Sequence, residues 1–194
     1  MARLDEAALD ILFGRARTFH RWSDRPVEDA TLVAIWEQAR MAPTSANCSP
    51  VRIVFVKSPA AKERLRPHLA EGNVASVMSA PVTVILAHDL DFYERLPELF
   101  SAEAVCWFKG KANAESTAFR NGTLQGAYVM LAARALGLDC GPMSGFSNDG
   151  VDATFLTHRP RWRSNFICNL GYGDEPEMRP RNPRLAFDEA CAIV

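Results

Sequence analysis

The sequence predicts one α+β domain, and three observations carry that reading. Helix-period segments alternate with three short apolar runs that read as buried strands, VRIVFV at 51–56, PVTVILA at 81–87 and NFICNL at 165–170. A much longer apolar stretch, residues 124–138, stands between the second run and the third, and only a helix makes use of that length. The 194 residues suffice for one sizeable core, with no internal repeat, low-complexity tract or linker that would divide the chain.

Taken in order, residues 4–13 place apolar side chains at 4, 8, 9, 11, 12 and 13, which predicts a short amphipathic helix stopped by Gly14. Residues 15–22 then interleave arginines, a hydroxyl and aromatics. Guanidinium forks and a threonine hydroxyl suit a phosphate, and they equally suit a solvated basic turn anchored by Phe19 and Trp22. A second helix is expected over 27–41, with Asp29 or Thr31 as its N-cap. The loop 42–50 is bracketed by prolines and filled with small polar residues, able to hydrogen-bond a heteroaromatic edge or simply to turn. After the first strand come a helix over 60–69, a turn at 70–73 and the second strand. Residues 89–113 read as a helix near 92–99 followed by a loose link, either a lid over a pocket or a peripheral insert.

The stretch 124–138 is interrupted only by Gln125, Gly126, Arg134 and Gly137, which predicts a helix buried on every side. It is shorter than the roughly 18–20 apolar residues of a membrane span. Gly137 supplies the left-handed stop. Gly141-Pro142-Met143-Ser144-Gly145 follows, read either as an ordinary turn or as a place where a flat ligand approaches the backbone and meets free amides. A short helix is expected at 148–157, then the third strand, ended by Gly171-Tyr172-Gly173. The tail 174–194, with Pro176, Pro180 and Pro183, builds no core of its own and must lie across another surface; residues 187–194 read as strand or helix.

A net charge of -1 argues against a nucleic-acid-binding or membrane-surface protein. Acids within the first helix argue against a secretion signal. Five scattered cysteines and four dispersed histidines fit reduced thiols in a cytoplasm and no metal centre. Neither a Rossmann glycine turn, a P-loop nor a nucleophile elbow is present. No side chain stands out as acid, base or nucleophile, so the catalytic residues are unassigned, and a cofactor is expected to carry the chemistry.

The motifs line up in an order that resembles the nitroreductase family of FMN-dependent oxidoreductases. They are Arg17-Thr18-Phe19-His20-Arg21-Trp22, the 42–50 loop into a strand, Gly72-Asn73, the buried helix ending A-x-x-L-G-L, G-P-M-S-G-F at 141–146, the strand into G-Y-G, and Arg184. The resemblance spans nearly the whole chain. Within the family, residues 92–97 (FYERLP), 183–191 (PRLAFDEAC) and the two longer motifs are similar to the malonic semialdehyde reductases of bacterial uracil breakdown.

The resemblance implies a central antiparallel or mixed sheet flanked by helices and an intertwined homodimer, with the tail 174–194 packed on the partner and FMN at the subunit interface. By the same likeness Arg17, Thr18, His20 and Arg184 surround the phosphate, Pro43, Thr44, Ser45 and Asn47 arrive from the partner chain, and Asn73 meets the pyrimidine edge. Pro142, Met143, Ser144 and Gly145 lie along one flavin face, with an amide of Ser144 or Gly145 directed at N5. NADH or NADPH is the implied hydride donor in a ping-pong cycle, and malonic semialdehyde the acceptor, reduced to 3-hydroxypropionate. The alternatives are a broad nitro/quinone reductase and an FMN-binding protein without turnover. Two positions depart from the family: His20 stands where an arginine is common, and Asn182 where a lysine is, so fewer fixed cations face the phosphate.

Overall fold

The computed structural model describes residues 3–174, 176, 178 and 180–194. The expectation for the 174–194 tail therefore falls partly outside the described residues. Elements run α1 (Glu6–Leu9), α2 (Asp29–Ala39), β1 (Val51–Val56), α3 (Pro59–Leu65), α4 (Glu71–Ser79), β2 (Val82–Asp89), α5 (Leu96–Leu99), α6 (Asn113–Ala135), β3 (Asp139–Met143), α7 (Asn148–Phe155), β4 (Trp162–Gly171) and α8 (Phe187–Ala190). The four strands form one sheet in the order β1-β2-β4-β3, and every pairing is antiparallel.

Alternation along β2 explains why its middle, Val84 to Ala87, is apolar on both faces. Val84 and Leu86 face α2 and α6 in a core completed by Ile35, Val129 and Leu170, while Ile85 faces Leu65 of α3, Val77 of α4 and Val151 of α7. Helices thus cover both faces of the sheet, and α6 spans one of them from Asn113 to its stop. That stop is Gly137, in the left-handed region at φ 82° as expected.

Several expectations need correction. The 141–145 segment is not a turn: Asp139–Met143 is an edge strand paired along β4. Gly72-Asn73 is not a turn either but the first turn of α4, and the neighbouring 60–69 helix ends at Leu65 with a 3-10 turn at Arg66–His68. The first helix begins at Glu6 and widens into a π turn over Asp10–Gly14. Neither Asp29 nor Thr31 caps α2; Glu28 holds that place, and Asp29 instead meets Lys57 at 2.6 Å. The 92–99 helix is a 3-10 turn leading into α5, and the link beyond it is not loose. Phe92, Leu96, Ala104 and Phe108 bury themselves against Cys48 and Ala118. The tail closes in the short helix α8.

Helix α6 is not buried on every side. Phe119, Leu124 and Tyr128 keep 52, 46 and 38% of their surfaces exposed, because sheet and α2 cover only part of its circumference. Among the described residues no helix is long and apolar enough to cross a membrane.

Cys48, Cys140 and Cys168 are buried, while Cys106 and Cys191 are exposed. Burial pushes the Cys48 thiol up to about 11, against a hydrogen bond from Thr44 that lowers it. Titration with a thiol-specific dye should count two reactive thiols in the folded chain and all five after denaturation; a fast third thiol in the native state would contradict this packing.

Candidate functional site

Residues 17–22 are stitched between two structures. Thr18 bridges Cys140 of β3, and Phe19 N donates to Cys140 O at 3.1 Å. Trp22 bridges Gly173, and Ser23 N donates to Tyr172 O at 2.9 Å. The segment thereby continues the sheet past its β3 edge. Gly141 permits this approach, since a Cβ there would lie 2.5 Å from Phe19 O and 3.0 Å from the Trp22 ring. Trp22 is buried, and its ring lies 6.3 Å from that of Phe19.

The aromatics anchor the segment, and its polar side chains line a cavity of about 730 Å³. Arg17, Thr18 and His20 share that cavity with Arg184, all four phosphate candidates, and with Arg134 and Arg181. The structure therefore brings the basic cluster together from three separate parts of the chain. Arg181 Nη2 donates to Gly14 O at 2.6 Å and Ala16 O at 3.1 Å, holding the tail against the start of the segment. Arg184 is exposed and, among the described residues, donates to its neighbours' carbonyls, Asn182 O at 2.9 Å and Pro183 O at 3.1 Å. Arg134 escaped the sequence reading, where it counted as an interruption of an apolar helix. Its signal was its place in the last turn, where a cation meets the negative end of the helix.

At the other end of β3, the chain turns out through Ser144 and Gly145. Gly145 O accepts from Asn73 Nδ2 at 2.9 Å and from Ala70 N at 2.9 Å. A Cβ on Gly145 would come within 2.6 Å of Asn73 Nδ2, so glycine is needed here for the asparagine's own approach. Asn73 is thus first a fastener of the 142–145 segment. Among the described residues, the amides of Ser144 and Gly145 donate to no protein acceptor. Pro142 and Met143 are half-buried, and Met143 packs on the core beneath the sheet. From Cys140, beside the basic cavity, to Gly145 the chain reaches at most about 17 Å. One edge of the sheet therefore presents cations at one end and free amides at the other.

The loop carrying Pro43, Thr44, Ser45 and Asn47 is not part of this assembly within one chain. Ser45 N donates to Asn121 Oδ1 at 2.9 Å near the start of α6, thirteen residues before Arg134, or roughly 20 Å along the helix axis. The loop is tightly held. Ala46, Asn47 and Ser49 all have positive φ, at 50°, 50° and 38°, a conformation that costs non-glycine residues of order 1–3 kcal/mol each. Thr44 Oγ1 accepting from Ser49 N, Asn47 Nδ2 donating to Leu99 O and Gln125 Oε1 accepting from Val51 N together fix it. Asn121 and Gln125 are its supports; Gln125, an interruption of the apolar 124–138 stretch, carried a signal as a polar side chain inside an apolar helix.

Arg163 lies at the far end of β4, with its guanidinium on Pro160 O and Trp162 O. Arg21 is exposed in the basic segment, its carbonyl accepting from Asp174 N at 3.1 Å.

Comparison with known proteins gives a consistent result. The profile of the Nitroreductase family matches residues 15–172. A protein of Polynucleobacter asymbioticus, provisionally named an NADH dehydrogenase/NAD(P)H nitroreductase, is 55% identical over 98% of both chains. One of Ralstonia pickettii with the same provisional name is 55% identical over 96% of this chain and 97% of its own. Among solved structures, a nitroreductase-type protein of Exiguobacterium sibiricum in complex with FMN superposes with a TM-score of 0.83 at 21% identity, covering all of this chain and 99% of its own.

Proposed function

Because this chain belongs to the nitroreductase family, we propose that it is an FMN-dependent NAD(P)H oxidoreductase and that the β3 edge is its flavin site. The observation that carries the reading is the placement of a basic cavity and two free amides at opposite ends of one strand edge. The donor set fits the cofactor: guanidiniums and a threonine hydroxyl suit a phosphate, and unpaired amides beside a glycine suit a flat ring. FMN, when bound, supplies hydride acceptance from NAD(P)H and donation to a second substrate.

The chain's own part is binding and orientation. Arg17, Thr18, His20 and Arg184 hold the phosphate, with Arg134 and Arg181 adding charge where the family's usual cations are replaced by His20 and Asn182. Asn73 fixes the 142–145 segment and offers Oδ1 to the ring's polar edge. The Ser144 and Gly145 amides face the reacting side. Pro43, Thr44, Ser45 and Asn47 reach the flavin of a second subunit, on whose surface the tail 174–194 also packs. The exposed face of α6 gives that dimer an apolar contact.

On the narrower likeness, the acceptor is malonic semialdehyde, which with NAD(P)H and a proton gives 3-hydroxypropionate and NAD(P)+. One observation favours the second reading, an uncharged quinone or nitroarene. Malonic semialdehyde carries a carboxylate, and of two arginines that could meet it, Arg21 and Arg163, the latter lies away from the β3 edge with its guanidinium engaged by backbone carbonyls. The test is to reduce the FMN-loaded protein anaerobically and offer each acceptor in turn. Fast return of the flavin colour with malonic semialdehyde supports the narrower reading; recolouring only with a quinone or nitroarene eliminates it. Steady NAD(P)H consumption with any acceptor excludes a merely FMN-storing protein.

Arg184→Ala should remove one charge-assisted phosphate contact, about 1.5–3 kcal/mol of FMN binding, roughly a ten- to hundredfold rise in Kd. Fluorescence quenching of FMN on titration with apoprotein measures it, and an unchanged Kd refutes the phosphate role of Arg184.

A further inference from the structure

Beneath the β3 edge lies a chain of buried polar groups that the flavin reading does not use. Lys62 of α3 is 3% exposed, and its Nζ donates to Val77 O at 2.7 Å and Thr83 Oγ1 at 2.6 Å. Thr83 Oγ1 donates onward to Asn169 Oδ1 at 2.6 Å, and Asn169 Nδ2 to Ser76 Oγ at 3.2 Å. Ser76 Oγ also accepts from the indole of Trp22 at 3.4 Å. Thr83 and Asn169 are opposite one another in the sheet, and Asn169 pairs with Gly141 across β3. The hydroxyl of Ser76 is therefore where two site elements meet. One is the basic segment, through Trp22; the other is α4, which carries Asn73 one turn earlier.

Among the described residues no carboxylate pairs with the lysine. On the surrounding elements, Glu63 is engaged by Arg66 at 3.1 Å, Arg64 donates to Thr154 O, and Glu71 is exposed at the start of α4. Asp152 of α7 accepts from Ser164 N, Asp149 is exposed, and His88, Asp89 and Arg163 lie at the other end of the sheet. A charged ammonium would leave its third proton without an acceptor, and burial pushes Lys62 down to about 7. A buried polar network with every member engaged holds its elements in one arrangement, and it loses that grip when one link fails.

We propose that Lys62, Thr83, Asn169 and Ser76 form a positioning chain for the flavin site, fixing the basic segment and α4 against the sheet in a common register. The proposal rests on the FMN reading above. None of the four lines the basic cavity; they act through Trp22, and through Asn73 and Gly145. Because Lys62 changes charge near neutral pH, the state of the chain is felt at Trp22.

The test combines a readout that needs no flavin with one that does. In the apoprotein, the indole N–H resonance of Trp22, assigned by its absence in Trp22→Phe, should shift with pH around the Lys62 midpoint near 7. Thr83→Val, which removes the hydroxyl at constant shape, should abolish that shift and weaken FMN about tenfold, the equivalent of one unpaired buried hydrogen bond. Lys62→Met should do the same if the valine variant folds poorly. A Trp22 resonance insensitive to pH in the unaltered chain overturns the proposal. So does a folded Thr83→Val protein with unchanged FMN affinity, even if it melts earlier. If the unaltered apoprotein shows the shift but takes up no FMN, the flavin reading has failed, and the chain with it as a device of that site.

Discussion

Gly141→Ala is expected to weaken FMN binding by about five- to hundredfold in a chain that still folds. The added methyl would stand 2.5 Å from Phe19 O and 3.0 Å from the Trp22 ring. The first of these is backbone, so no rotamer change relieves it, and residues 17–22 must move off the β3 edge. Overpacking of this kind costs about 1–3 kcal/mol. It would draw on the Phe19 N to Cys140 O bond that aligns Arg17, Thr18 and His20. Passed on to the phosphate contacts, that cost corresponds to a five- to hundredfold rise in Kd. Titrating apoprotein with FMN, alongside a melting curve, separates the two effects. A lower melting temperature with undiminished affinity would mean that residues 17–22 do not hold the phosphate.

Lys62→Met should change the pH dependence of stability more than any surface substitution. Lys62 gives up its proton near pH 7 in the folded chain and near 10.5 when unfolded. Below pH 7 both states carry the proton, and the folded state bears the full cost of a buried cation. Between the two values only the unfolded chain binds it, so the free energy of unfolding climbs with pH at about 1.4 kcal/mol per unit. Across the whole window that amounts to on the order of 5 kcal/mol. The methionine variant lacks this rise, so the stability of the lysine protein relative to the variant should climb steadily from pH 7 towards 10. Urea unfolding at a series of pH values tests it; parallel curves would mean that Lys62 stays charged or finds water.

The fold was legible where one physical cause dominated. The run 81–87 is apolar because both faces of the strand are covered, and Gly137 stops α6 because glycine accepts φ 82°. Local patterns misled where tertiary context decided. Residues 141–145 carry glycine and proline and look like a turn, yet antiparallel pairing with β4 makes a strand of 139–143. Gly72 and Asn73 look like a turn, yet the chain enters α4 there so that Asn73 can reach Gly145. The apolar surround of α6 was read as complete burial, whereas a single chain covers only part of it.

The site divides in the same way. Arg17, Thr18, His20 and Arg184 were identified as a group and do share a cavity. Arg134 was invisible as a member because helical periodicity says nothing about what lies beyond a helix end. The positioning chain was hidden altogether, since Lys62, Thr83, Asn169 and Ser76 sit on four elements and only the register of the sheet brings them together. Pro43, Thr44, Ser45 and Asn47 lie roughly 20 Å along α6 from the basic cavity of their own chain, and their part in a flavin site depends on a second subunit.

The most direct measurement is an anaerobic stopped-flow trace of the protein reconstituted with FMN and mixed with NADH or NADPH. Bleaching of the flavin's visible band at a rate that saturates with nucleotide, and that falls together with FMN affinity in Gly141→Ala, is the expected result. An apoprotein that takes up no FMN, or a bound flavin that stays oxidised under both nucleotides, would contradict the assignment of the β3 edge as the working site of an NAD(P)H oxidoreductase.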